Sequence, residues 1–184
     1  MQEGALDGAV VVDLMAVPRL SAMPLLRERL YLIGPHDAKL NPRRAVRLSR
    51  VASEPLILTT RPNSLRLIVD NAFAAARLSP TIVADSNSTA AMVDLAAEGM
   101  ACTVLPYSAA WKAIAQRRLS AAPIEGLNID WVFIHRTTHP LSGAARAFVR
   151  ALRDLARRRI AGKTWSGAAL VMPDDADPDD MPSI

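Results

Sequence analysis

The strongest constraint on the fold of this chain is a strand–turn–helix unit that recurs between residues 55 and 117. Pro55-Leu56-Ile57-Leu58 is a short apolar run, Thr59-Thr60-Arg61-Pro62-Asn63 is a polar turn, and Ser64 opens an amphipathic segment reaching residue 77. The pattern returns as Thr81-Ile82-Val83-Ala84-Asp85 followed by Ser86-Asn87-Ser88 and a helix over about 88–98. It returns again as Ala101-Cys102-Thr103-Val104-Leu105-Pro106 before a helix over about 108–117. Apolar runs this short, bounded by turn residues, read as strands, and the segments between them carry helical periodicity. Alternation of the two predicts an α/β fold with a largely parallel sheet covered on both faces. Ligands of open α/β sheets bind outside the carboxyl ends of the strands. The turn after residue 58 offers helix N-terminal amides, hydroxyls, an asparagine amide and Arg61, a set suited to a small polar or anionic ligand.

Within 64–77, Leu65, Ile68, Val69, Ala72 and Ala76 share one face, while Arg66, Asp70 and Arg77 fall off it, and Ser64 is a plausible N-cap. Gly99 is placed to stop the helix before it. Outside this unit, residues 1–8 read as the end of a helix and 9–14 as a buried strand. A loop with Pro18 and Pro24 follows, then a strand over 29–33 stopped by Gly34-Pro35. Residues 36–54 read as largely irregular, with one short helix near 42–48. A weak strand is expected near 119–124 and another over 129–135. Ser142 caps a long helix to about residue 160, with Phe148, Val149, Leu152, Leu155 and Ala156 inward and Arg146, Arg150, Arg153, Arg157 and Arg158 on the remainder. After Gly162 the periodicity fades, and residues 163–184 read as a disordered acidic tail.

Composition narrows the function classes. Half the residues are hydrophobic (51%) but only 4% are aromatic, so the core must be aliphatic. The net charge is +4, and five aspartates (Asp174, Asp175, Asp177, Asp179, Asp180) crowd the tail, leaving a basic body. A basic body can attract nucleic acid, yet the arginines are dispersed outside 146–159 and lack interleaved aromatics, so they read as a solvated surface. A single cysteine, Cys102, excludes an internal disulfide and sits in an apolar run, as a buried inert thiol does. No run is long and apolar enough for a membrane helix and the first residues carry Glu3 and Asp7, so a cytoplasmic protein is expected. His135 and His139 are four apart, but one ends a strand and the other precedes Pro140, so no metal pair is expected. Walker, G-x-G-x-x-G and G-x-S-x-G patterns are missing, and no catalytic group or cofactor is nominated.

Several of these segments together resemble the effector-binding domain of LysR-type transcriptional regulators over approximately residues 3–160. Gly4-Ala5-Leu6-Asp7-Gly8-Ala9-Val10-Val11 is similar to that family's entry into a strand, and Arg29-Leu30-Tyr31-Leu32-Ile33-Gly34-Pro35-His36 to its next strand and turn. Pro55-Leu56-Ile57-Leu58, Leu78-Ser79-Pro80 and Glu98-Gly99-Met100-Ala101-Cys102-Thr103-Val104-Leu105-Pro106 extend the match, with Ala101 where the family usually has glycine. Leu141-Ser142-Gly143-Ala144-Ala145-Arg146-Ala147-Phe148 resembles the opening of its last helix.

The resemblance implies a periplasmic-binding-protein-like, two-lobed fold (type II) with lobe I incomplete: 1–50 with 126–162 as the remnant of lobe I, and 51–125 as lobe II. It implies a regulatory domain, not an enzyme, that senses a small metabolite and acts as a homo-oligomer or a mixed oligomer with full-length relatives. DNA would be reached only through a winged helix-turn-helix that these residues lack. By position, Gly34, Thr60, Arg61, Ser64 and Ser86 would meet the effector, Thr60 and Ser64 as hydroxyl donors and Arg61 as partner of a carboxylate. The alternative for Ser64 and Ser86 is that they only cap helices. The rival functions are a solute-binding or diverged enzyme domain on the same scaffold, or a truncated non-functional remnant.

Overall fold

The computed structural model describes residues 6–12, 20–137 and 140–171. Two compact units divide them: residues 1–28 with 130–184, and residues 29–129. The sequence placed the boundaries at 50/51 and 125/126. The division falls instead inside two long strands, because continuous extended chain carries no turn signal where it leaves one unit for the other.

Residues 29–129 hold the recurrent units, and here the expected elements form. β3 (Pro55–Leu58), β4 (Thr81–Asp85) and β5 (Cys102–Pro106) are strands, each followed by its helix: α2 (Ser64–Ala75), α3 (Thr89–Ala97) and α4 (Tyr107–Ala115). β3 lies between β4 and β5 and is parallel to both. β2 (Leu20–Pro35) joins β5 antiparallel through Leu30–Ile33, so the sheet is mixed rather than largely parallel. Every residue of β5 is buried, which a strand achieves only when both sheet faces are covered. One face packs Tyr31, Ile33, Ile57 and Leu105 against Met92 and Ala96 of α3 and Ala110 and Ala113 of α4. β4 forms the outer edge, and Val83 is 55% exposed there.

Gly99 ends α3 as anticipated: at φ +74° it lets its own N–H reach the Ala96 carbonyl and the Met100 N–H reach that of Leu95. The cap of α2 differs from expectation. Asn63, not Ser64, accepts from the Leu65 N–H at 2.9 Å, and Ser64 is the first helical residue. Between β2 and β3, the expected helix at 42–48 is displaced to α1 (Leu48–Ala52), after a 3-10 turn at His36–Ala38. Val51 at 0% exposure supplies the burial that holds α1. Of the predicted stripe α2 buries Val69 and half-buries Leu65, Ile68 and Ala72, while Ala76 is exposed and Arg66 and Phe73, outside the stripe, are buried.

The other unit carries β1 (Gly8–Val12), the remaining parts of β2 and of β6 (Leu119–Arg136), α5 (Gly143–Ala161) and β7 (Ala168–Leu170). β1 pairs antiparallel with β6, Gly8 opposite His135 and Val12 opposite Trp131. It is half-buried throughout rather than buried, since among the described residues only β6 pairs with it. Leu6 and Asp7 are not helical; the remaining residues of the expected helix end, 1–5, and positions 13–14 and Pro18 lie outside the described residues. Pro24 stands inside β2, not in a loop, before the Leu26–Glu28 stretch that pairs with β7. A strand tolerates proline where no neighbour calls on its N–H. The two strands expected at 119–124 and 129–135 are one, with Gly126 at φ +69° absorbing the irregularity between them.

Ser142 caps α5 as expected, accepting from the Ala145 N–H at 3.1 Å. The helix is rotated from the predicted face. Ala145, Val149, Arg153 and Ala156 are buried, whereas Phe148 is 51% and Leu155 39% exposed. Val149 joins Met23, Leu25, Phe133, Leu141 and Ala145 in this unit's core. Residues 163–171 continue the fold through β7, which the fading periodicity did not signal; the rest of the acidic tail lies outside the described residues.

Candidate functional site

Four of the five candidate residues come together where β3 and β4 end, within residues 29–129. The turn that leaves β3 is tied to the one that leaves β4. The Ser86 N–H donates to the Leu58 carbonyl at 2.9 Å, and the Thr60 N–H donates to Asn87 Oδ1 at 3.2 Å. Ser86 Oγ accepts from the Ser88 N–H at 3.1 Å and so shapes the turn, while Ser88 is the residue that caps α3. Thr60, Ser64 and Ser86 are half-buried and Arg61 is exposed, so a hydroxyl-lined rim with one mobile-length cation faces solvent. The Arg61–Pro62 peptide is cis.

Beneath this rim lies Arg66, which the sequence pattern assigned to the solvent side of α2. Its side chain is only 5% exposed. Nη1 donates to the Thr59 carbonyl at 2.8 Å and to Asp85 Oδ1 at 2.5 Å, and Nε donates to Asp70 Oδ1 at 3.0 Å. One planar guanidinium thus joins the end of β3, the end of β4 and the second turn of α2, a task its fixed fork suits. Burial acts to lower its pKa, but the hydrogen bonds and charges of Asp85 and Asp70 outweigh this and the pKa is raised. Arg61 reaches the same carboxylate from outside, Nε donating to Asp70 Oδ2 at 2.8 Å. Asp70, Asp85 and Asn87 complete a cluster that the sequence reading missed. The available signal was the opposite charges of Arg66 and Asp70 one helical turn apart, next to a strand ending in Asp85.

Gly34 is not part of this cluster. It follows Ile33, which pairs with Thr103, and a Cβ at Gly34 would stand 2.8 Å from Cys102 Sγ. Cys102 in turn pairs with Leu56, near the start of β3, roughly four strand residues or about 13 Å from Thr60. Gly34 is buried, and its lack of a side chain is explained by the thiol beside it. Burial, and next the charge of Glu54, push the Cys102 thiol up to about 11, so a nucleophilic role is opposed by its surroundings.

Among the described residues, cavities lie elsewhere too. One of 290 Å³ in the first unit is lined by Asp7, His135, Arg136 and Ser142, where Ser142 Oγ donates to Asp7 at 2.8 Å. His135 Nδ1 lies 3.0 Å from the Arg136 carbonyl oxygen, and His139 lies outside the described residues. Another, of 450 Å³, runs beside α4 past Trp111 and Lys112. The first gathers polar groups from the start of β1, the end of β6 and the cap of α5, but the β3–β4 turns are the ones that hold the sequence-nominated residues. Among the described residues no group of three or more His, Cys, Asp or Glu is arranged to hold a metal ion, and no helix is long and apolar enough to cross a membrane.

Comparison with known proteins agrees with this architecture. A family model, the LysR substrate binding domain, matches residues 1–157. The nitrogen assimilation regulatory protein nac of Klebsiella aerogenes is 38% identical over 107 residues, 58% of this chain and 34% of that protein. The chain therefore spans about a third of the length of the curated relatives it matches. Among solved structures, the regulatory domain of MetR, a LysR family regulator from N. meningitidis, matches with a TM-score of 0.72 at 19% identity, over 93% of this chain and 80% of that one. The regulatory domain of CcmR from Synechocystis, solved in complex with 2-PG, matches at 0.70 and 20% identity, over 84% and 76%. At such identities the likeness is one of fold: the LysR regulatory domain, periplasmic-binding-protein-like.

Proposed function

The chain belongs to the LysR substrate binding domain family, and from that membership we propose that it is an effector-binding regulatory domain without catalytic activity. The observation that carries the reading is the pair of cross-linked turns, Ser86 to Leu58 and Thr60 to Asn87, which presents Thr60, Arg61, Ser64 and Ser86 at one sheet end. Hydroxyls and one arginine orient a small polar or anionic metabolite there. Gly34 then serves the packing of the same unit rather than the ligand. In this reading residues 29–129 correspond to lobe II and the other unit to lobe I.

The protein acts in the cytoplasm, as a homo-oligomer or in mixed oligomers with longer relatives whose DNA-binding parts respond to the effector. The effector alters DNA affinity only through its differential affinity for two arrangements of that oligomer. The CcmR complex with 2-PG supports a small molecule as the class of effector.

A thermal-shift screen with aromatic and dicarboxylic acids tests the site. A ligand at a hundred times its Kd is expected to stabilise the chain by about 2.7 kcal/mol. Thr60→Val should weaken that ligand about tenfold, the cost of one lost hydroxyl bond. If no compound in the screen stabilises the chain, or Thr60→Val leaves a hit unaffected, the assignment of this site fails.

A further inference from the structure

We propose that Asp70 sets the charge selectivity of this site: it neutralises Arg61, an anionic ligand competes with it for that guanidinium, and Arg66 keeps it in place when that happens. The proposal rests on the reading that the β3–β4 turns hold the effector.

The cluster contains two guanidiniums and two carboxylates, so its formal charges cancel. Of the two guanidiniums Arg61 is the one a ligand can reach, with its side chain 70% exposed, and both contacts it makes with Asp70 end on Oδ2, at 2.8 and 2.6 Å. Asp70 is 21% exposed and gives its other oxygen, Oδ1, to buried Arg66. The two oxygens therefore have separate partners. Exchange of Arg61 from Oδ2 to a ligand carboxylate leaves the Oδ1 bond to Arg66 untouched, and Arg66 also keeps Asp85 and the Thr59 carbonyl. An exposed ion pair is weakly held, so this exchange is accessible. Yet it is not free, since the ligand meets Arg61 with part of its charge and two of its nitrogens already committed to Asp70. A neutral ligand of the same shape faces no such competition. Asp70 thus handicaps anions relative to neutral ligands, and the handicap belongs to one side chain.

Matched probes that differ in charge and little in shape read this directly: benzoate against benzamide, and succinate against succinamide. The quantity is the ratio of carboxylate to carboxamide affinity in the full chain, by calorimetry at fixed ionic strength. Asp70→Asn, which keeps an acceptor for Arg66, should raise the ratio about tenfold. Arg61→Gln, a change at a side chain 70% exposed, should lower it below wild type. The double variant should match Arg61→Gln alone, because without Arg61 there is nothing for Asp70 to occupy.

An unchanged ratio in Asp70→Asn, or a raised ratio that persists in the double variant, overturns the proposal while leaving the site in place. Failure of every probe and every acid in the screen to bind wild type or Asp70→Asn overturns the site itself, and the proposal with it.

Discussion

Arg66 on α2 donates from Nη1 to Asp85 Oδ1 at the end of β4 across 2.5 Å, joining a helix to a strand end 19 residues away. The same nitrogen holds the Thr59 carbonyl at 2.8 Å, so the relationship fixes how two strand ends sit beneath one rim.

Replacing Arg66 by Met should therefore cost about 2–3 kcal/mol, the usual worth of hydrogen bonds to charged groups. Asp85 is 47% exposed and regains water, which keeps the loss from growing larger. Arg118→Gln, which removes an ion pair with Asp94 exposed on both sides, should cost about 0–1 kcal/mol. Urea titration of both variants checks the contrast: a lower midpoint for Arg66→Met with an unchanged slope is expected. Equal losses would mean that Arg66 contributes no more than a surface arginine.

Helix α2 permits a test of which residue starts it. Asn63 Oδ1 accepts from the Leu65 N–H, so Asn63→Ala should destabilise by about 1 kcal/mol, while Ser64→Ala should stay within about 0.5 kcal/mol. Thermal unfolding of the two variants side by side decides it. The reverse ranking would restore the serine as cap.

The recurrent strands and helices from Pro55 to Ala115 were legible because each carries its signal locally: an apolar run, a polar turn, a stop such as Gly99. β6 was legible only as two strands, because Glu125-Gly126 breaks the apolar pattern between stretches that the structure joins into one. The same blindness hid Arg66. Charge patterning sends an arginine to solvent, and nothing local announces that Thr59, Asp70 and Asp85 converge on it. Phe148 and Leu155 show the converse, apolar residues that periodicity turned inward but that α5 leaves exposed. For the proposed site, Thr60, Arg61, Ser64 and Ser86 were nominated from their places after strand ends, and the structure brings them together there. Their partners, joined to them only through space, were not.

Cys102 gives a pH dependence with a definite sign. Its pKa is about 11 in the fold against 9.0 for an ordinary thiol, chiefly because burial disfavours the thiolate. The stability this represents is intact below pH 9 and falls as pH rises toward 11, since the unfolded chain loses its proton first. Tyr107, also raised by burial, adds to the fall above pH 10. Urea midpoints from pH 8 to 11 should decline less steeply for Cys102→Ala than for wild type. Parallel declines would show that the buried thiol does not contribute.

Gly34 and Cys102 should be coupled. Gly34→Ala builds a Cβ about where Sγ already stands, 2.8 Å away, with Ala38 and Leu40 at ordinary contact distances behind it. Cys102 is 6% exposed and held in β5 between β2 and β3, so it has little room to withdraw. Overpacking of this kind costs roughly 1–3 kcal/mol. In a Cys102→Ala background the obstructing sulfur is gone, and the added methyl enters the space it vacated. The double variant should then be more stable than the sum of the single losses predicts, by about 1 kcal/mol or more. A cycle of four chains measured by urea denaturation gives this number. Additive losses would remove the packing explanation for Gly34, and the ligand contact suggested by its position in the sequence would again be the better account.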